Sequence, residues 1–270
     1  MTTPAPQPAS PALPPEIRLR GVPVHVLTLE QAADLIISRL QAGLGGWVVT
    51  PNLDILRRAT RDAEFRRLYD ATTLRLADGM PLVWASRLQG TPLPGRAAGS
   101  DLIFTLAGRA ARAGASLFLL GGNPGTAERA AGELVERYPG LRIAGMECPP
   151  MGFERDERNL HALAQRLQAA RPDIVMVALG SPKQERLIEF LRVSLPGAWF
   201  LGLGISFSFV AGEVRRAPRW MRGIGLEWVH RLSQEPRRLA RRYLIDGLPF
   251  ALRLLASSAM IGLGLRAPAR

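Results

Sequence analysis

Six short apolar runs recur along this chain, separated by segments with helical spacing, and that alternation decides the fold class. The runs cover residues 47–49, 73–76, 116–120, 141–144, 174–179 and 198–203. They are too short for core helices and suit strands buried on both faces. Helical patterns fill the gaps at 62–69, 81–88, 101–113, 126–138, 156–170 and 183–193, with one more ahead at 29–40. Alternation of this kind predicts an α/β fold, Rossmann-like, with a mainly parallel doubly wound sheet. Residues 17–26 read as a short hairpin or β-extension. A chain of 270 residues, 47% hydrophobic and 21% charged, has length for one such domain with an appendage.

In a doubly wound sheet, ligands gather at the carboxyl ends of the strands, so the residues after each run carry the functional reading. They are Thr50-Pro51-Asn52-Leu53-Asp54, Ala77-Asp78-Gly79, Gly121-Gly122-Asn123-Pro124-Gly125, Gly180-Ser181-Pro182-Lys183-Gln184-Glu185 and Gly202-Leu203-Gly204. The 121–125 turn joins a strand to a helix. Its glycines let backbone approach a ligand, and the helix N-terminus attracts anions, so it suits a diphosphate or serves as a plain tight turn. The 180–185 stretch repeats that design and holds the only lysine among 35 basic residues. A cation in the first turn of a helix opposes the dipole unless an anion is bound. The other reading is a proline helix start followed by a solvated face. Asp78 is either a general base at a partly desolvated strand end or an N-cap. Thr50 and Asn52 share that ambiguity, since Asn52 or Asp54 can cap the helix that follows.

Several chemistries lack their residues. The three histidines are scattered and none pairs with Cys148 at metal-ligand spacing. There is no Gly-x-Ser-x-Gly elbow and no Asp-x-Asp pair, so neither a metal nor another cofactor is expected. A single cysteine rules out an internal disulfide and fits a reducing cytoplasm.

Charge is unevenly spread. Residues 213–270 hold 12 arginines against 4 acids, a balance of +8 out of a total of +12. That points to a polyanionic partner, an anionic membrane face or nucleic acid. No helix-turn-helix, zinc-finger or RNP pattern supports nucleic acid, whereas Trp220, Trp228 and Leu232 beside arginines suit a bilayer surface. Residues 248–265 make a poor spanning helix, interrupted by Arg253, serines and glycines, and a better interfacial one. Residues 1–15, rich in Pro, Ala and Thr, should be disordered and are no secretory signal. The expected division is a tail at 1–15, an α/β catalytic domain at 16–212 and a basic helical appendage at 213–270.

Taken in order, the motifs resemble the WecG/TagA/CpsF family of bacterial glycosyltransferases. They are Thr50-Pro51-Asn52, Ala77-Asp78-Gly79, Arg96 with Gly99-Ser100-Asp101-Leu102, Phe118 to Gly122, Gly180 to Glu185, and Arg216-Ala217-Pro218 through Gly225-Leu226-Glu227-Trp228 to Arg231-Leu232. The resemblance spans about residues 22–243. It implies inverting transfer of a sugar (ManNAc, Glc or a related hexose) from a UDP-sugar to a polyprenyl-diphosphate-linked saccharide. The setting it implies is the inner face of the cell membrane, in teichoic-acid, common-antigen or exopolysaccharide synthesis. Under it Asp78 is the base, and Thr50 and Gln184 line the reaction centre. Asn52, Arg96, Gly121, Gly122, Asn123, Gly180, Pro182, Lys183 and Glu185 form the substrate cradle. Arg231, Arg238 and Arg241 contact the acceptor diphosphate or the membrane. A homo-oligomer is compatible with it. One departure stands out: Phe207-Ser208-Phe209 replaces the Phe-Asp-Phe of many relatives, which unsettles donor specificity. The alternative is a non-catalytic UDP-sugar-binding or scaffold protein of the same fold.

Overall fold

A computed structural model describes residues 11–267 except Ile224, leaving out the side chains of Arg219, Arg222 and Arg238. The expected disordered tail falls mostly on residues 1–10, outside the described residues. From Pro11 the chain is tied down: Arg39 donates to the Pro11 carbonyl at 2.7 Å, and the Val26 N–H to that of Pro15 at 2.8 Å.

β1 (Glu16–Leu19) and β2 (Val22–His25) form the antiparallel hairpin. Six parallel strands follow: β3 (Gly46–Val49), β4 (Leu74–Arg75), β5 (Ser116–Gly121), β6 (Arg142–Glu147), β7 (Ile174–Ala178) and β8 (Trp199–Gly202). Their order across the sheet is β4-β3-β8-β7-β5-β6. Alternate residues face opposite ways, as the period of two requires. Val49, Leu120, Val175, Val177 and Phe200 enter one core, while Val48, Leu119, Ile174, Met176 and Leu201 enter the other. Each fully buried apolar side chain of this kind stabilises the fold by about 1.5–3 kcal/mol.

Helices cover both faces. On the first lie α2 (Leu53–Ala59), α3 (Ala63–Asp70), α4 (Met80–Leu88), α7 (Glu157–Ala170) and α8 (Lys183–Leu191). On the second lie α1 (Leu29–Gln41), α5 (Gly99–Ala113), α6 (Thr126–Arg137) and α9 (Ser206–Val210). The doubly wound reading is therefore observed, with helix bounds close to those that periodicity predicts. α1 begins where a capping box fixes it: the Gln31 N–H donates to the Thr28 hydroxyl and the Thr28 N–H to the Gln31 side-chain oxygen.

The C-terminal segment adds α10 (Arg219–Gly223), α11 (Glu227–Gln234), α12 (Pro236–Ala240), a π-helical stretch (Arg241–Gly247) and α13 (Leu248–Gly262). Among the described residues, Arg241–Gly262 is the one helix long and apolar enough to cross a bilayer, and 28% of its most apolar window is buried. α13 lies along α4. Phe250 and Leu254 enter the first core, and Arg20 reaches across to the Arg253 carbonyl and the Ser257 hydroxyl. Gly262 comes so close to α4 that a β-carbon there would sit 2.0 Å from the Leu88 carbonyl oxygen. The opposite side leaves Ile245, Leu248 and Leu252 exposed.

Candidate active site

A cavity of about 920 Å³ opens at the carboxyl ends of β3, β4, β5, β7 and β8. Ten of the residues singled out from sequence meet on its wall: Thr50, Asn52, Asp78, Arg96, Gly122, Asn123, Gly180, Lys183, Gln184 and Arg231. Gly121, Pro182 and Glu185 sit just behind it. Arg241 is exposed, away from the wall, and the Arg238 side chain lies outside the described residues.

Asp78 and Asn52 resolve their ambiguity in opposite directions. Asn52 is a cap: its side-chain oxygen accepts from the Asp54 and Ile55 N–H groups, both at 3.0 Å. Asp78 is not. α4 opens on Gly79, at φ +143° and with no side-chain cap, so the Asp78 carboxylate is left for the cavity. The main chain fixes its position, since the Asp78 N–H donates to the Pro51 carbonyl at 2.8 Å and the Ala97 N–H to that of Ala77 at 2.7 Å. Burial pushes the Asp78 carboxyl up from about 3.8 to about 6. Arg96 opposes that rise, Glu227 and Asp101 add to it, and the Gly99 N–H opposes it slightly. A carboxylate poised near neutrality and facing a cavity is suited to taking a proton.

The 180–185 turn places Gln184 and Lys183 differently. Gln184 is buried and used at both ends. Its Nε2 donates to Glu185 Oε1 at 3.0 Å, and its Oε1 accepts from the Gly204 N–H at 3.0 Å. Glu185 is almost wholly buried, and burial pushes its carboxyl upward. One of its oxygens has no hydrogen-bond partner. Glu185 thus fixes which way the Gln184 amide faces. Lys183 pairs with Glu154 at 2.8 Å, which holds Glu154 below the usual carboxylate range. That pair ties the start of α8 to the 3₁₀ turn Phe153–Arg155 on the cavity rim. Gly121, at φ +100°, allows β5 to close on β7: a β-carbon there would meet the Ala178 carbonyl oxygen at 2.7 Å.

The C-terminal segment roofs the cavity with Glu227, Trp228, Arg231, Arg242 and Tyr243. Arg96 is clamped between Glu227 and Asp101, the latter at 3.1 Å, and Arg216 pairs with Asp101 at 2.8 Å. Arg231 stacks over Phe209 at 5.8 Å. Arg242 approaches Asp54 at 3.3 Å, and Asp54 also holds Arg57 at 3.0 Å. Glu227 and Arg242 carried no individual site role in the sequence reading. Glu227 stands inside the Gly225-Leu226-Glu227-Trp228 motif, but its partner is 131 residues away, beyond any local pattern. Ser208 is buried on the cavity wall, and the nearby Glu213 carboxylate is held by the Thr126 hydroxyl, at 2.6 Å, and by Arg129.

A doubly wound sheet here presents a desolvated carboxylate, helix N-termini and guanidinium groups to one cavity, an arrangement suited to anionic ligands. Residues 17–261 match the family model described as the glycosyl transferase WecG/TagA/CpsF family, and the chain belongs to that family. It is 35% identical over 198 residues to an N-acetylglucosaminyldiphosphoundecaprenol N-acetyl-beta-D-mannosaminyltransferase of Bacillus subtilis, covering 73% of this chain and 75% of that protein. It is 34% identical over 206 residues to a protein of the same name from Bacillus spizizenii, covering 75% and 76%.

Proposed function

We propose that this glycosyltransferase moves a hexose, with inversion, from a UDP-sugar to a polyprenyl-diphosphate-linked saccharide, and that Asp78 is the base. The observation that carries the reading is the Asp78 carboxylate, uncapped and desolvated at a strand end. In a single displacement the acceptor hydroxyl attacks the anomeric carbon, the bond to the UDP oxygen breaks, and the proton passes to Asp78. The leaving diphosphate gathers negative charge, which in this reading Arg96, Arg231 and the N-termini of α6 and α8 offset. The relatives' names support N-acetylmannosamine as donor sugar and a GlcNAc-diphosphate lipid as acceptor.

We further propose that residues 213–270 form a docking appendage on the catalytic domain, at the inner face of the membrane. Its arginine excess and the exposed Trp220, Ile245 and Leu263, off the cavity wall, support that reading. The test is to incubate the protein with a panel of UDP-sugars and a short-chain lipid-diphosphate GlcNAc. UDP release that depends on the acceptor is expected. Tight UDP binding without turnover for any donor would favour the non-catalytic alternative.

A further inference from the structure

Asp78 and the C-terminal segment meet through one side chain. Arg96 is nearly buried, lies on the same cavity wall as Asp78, and is held by Glu227 at the start of α11 and by Asp101 of α5. Two features seat α11 at this point. Glu227 closes on Arg96, and two residues earlier Gly225, at φ +76°, lies so tightly on α4 that a β-carbon would fall 2.7 Å from Met80 Cβ and 2.9 Å from the Trp84 ring. Met80 and Trp84 belong to the helix that begins directly after Asp78-Gly79. The other contacts of α11 are peripheral, Arg231 over Phe209, Trp228 against Tyr243 and Gln234 to the Arg215 carbonyl, and none of its residues is fully buried.

We propose that Glu227 is a positioning residue that engages Arg96 when α11 is seated, so that Arg96 does not pair with Asp78 and Asp78 stays an effective base. With α11 lifted, Arg96 loses Glu227, and its charge is shared between Asp101, which still holds it, and Asp78. A carboxylate paired with a guanidinium is a weaker base. Docking of the C-terminal segment is thereby coupled to proton abstraction through one ion pair. The charged groups acting on Asp78 are Arg96, Glu227 and Asp101, together with the Gly99 N–H. Of these carboxylates only Glu227 belongs to the C-terminal segment. The direction agrees with its effect on Asp78, since Glu227 favours the protonated acid and Arg96 the ionised form.

This inference rests on Asp78 as base, so its test has a readout independent of turnover. In full-length protein, the Asp78 carboxyl carbon is followed by NMR titration, assigned with Asp78→Asn, in wild type and in Glu227→Gln. The acceptor-dependent pH profile of kcat/KM is measured in parallel. Glu227→Gln should move the Asp78 titration below its wild-type position near 6. It should move the acid limb of kcat/KM the same way and lower the alkaline plateau about tenfold, as expected of a weaker base. Glu227→Asp, which keeps the charge, should retain most of the wild-type limb. A lowered plateau with an unmoved titration and limb would reduce Glu227 to a structural contact and overturn the proposal. A shifted titration in a protein that shows no transfer with any donor would leave the coupling standing and sink the glycosyltransfer reading.

Discussion

The floor and the roof of the cavity are held by different forces. The floor is strand ends: Asp78 by main-chain hydrogen bonds, Gln184 by Glu185 and Gly204, and the turns by parallel pairing between β5 and β7. The roof is held largely by ion pairs, Arg96 with Glu227, Arg242 with Asp54 and Arg57 with Asp246. Backbone geometry set by a buried sheet does not yield without unfolding. The Arg242–Asp54 and Arg57–Asp246 pairs reach solvent, so each contributes little and is screened by salt. The floor is therefore expected to stay fixed, and the roof to be the half that exchanges partners.

Changes to the floor should act on chemistry. Asp78→Asn is expected to lower acceptor-dependent UDP release about 10²–10⁴-fold while calorimetric UDP affinity stays near wild type. An equally active variant would remove Asp78 as base. In the wild type, kcat/KM should fall about tenfold per pH unit below the Asp78 titration near 6, and a profile flat to pH 5 would contradict that. Stability moves oppositely. A carboxyl raised from 3.8 to about 6 on folding contributes stability that is complete below 3.8 and lost as pH rises through 6. Asp78→Asn should therefore gain up to about 3 kcal/mol at pH 8, less because Asp78 keeps some surface on the cavity, and nothing at pH 3.5. Denaturant midpoints at the two pH values check the sign.

Changes to the roof should act on docking. Ile245→Asp with Leu263→Asp, both exposed and off the cavity wall, should cut co-sedimentation with anionic vesicles about tenfold and spare turnover of a short-chain acceptor. Unchanged sedimentation would move the membrane contact elsewhere. Gly262→Val should cost about 1–3 kcal/mol by forcing α13 off Leu88, seen as a lower Tm. Smallest is Glu154→Ala, which removes the partly buried partner of the exposed Lys183 and should change stability by less than about 1 kcal/mol.

The same division separates what sequence periodicity reveals from what it hides. The strands of the floor are apolar runs flanked by glycine, so β5, β7 and β8 and the polar turns after them stand out along the chain. Whether Asp78 or Asn52 would cap a helix did not, because a cap depends on where the helix starts, and Gly79 decides it. The roof is harder still. α11 and α12 are short helices without a buried stripe, and the Arg96–Glu227 contact joins residues far apart in sequence. Periodicity carries no trace of such a contact.

The lone lysine leads to a last consequence. Lys183 enters the cavity rim already matched with Glu154, as Arg96 is with Glu227 and Arg242 with Asp54. A site furnished with such pre-matched cations behaves as an ion exchanger. An arriving diphosphate is expected to take Lys183 and Arg242 over from their carboxylates, and its departure to return them. Such a site is expected to favour ligands with several negative charges, because a ligand with a single negative charge displaces one carboxylate at most. Product release should likewise be easy, since each of these cations has a resident partner to return to.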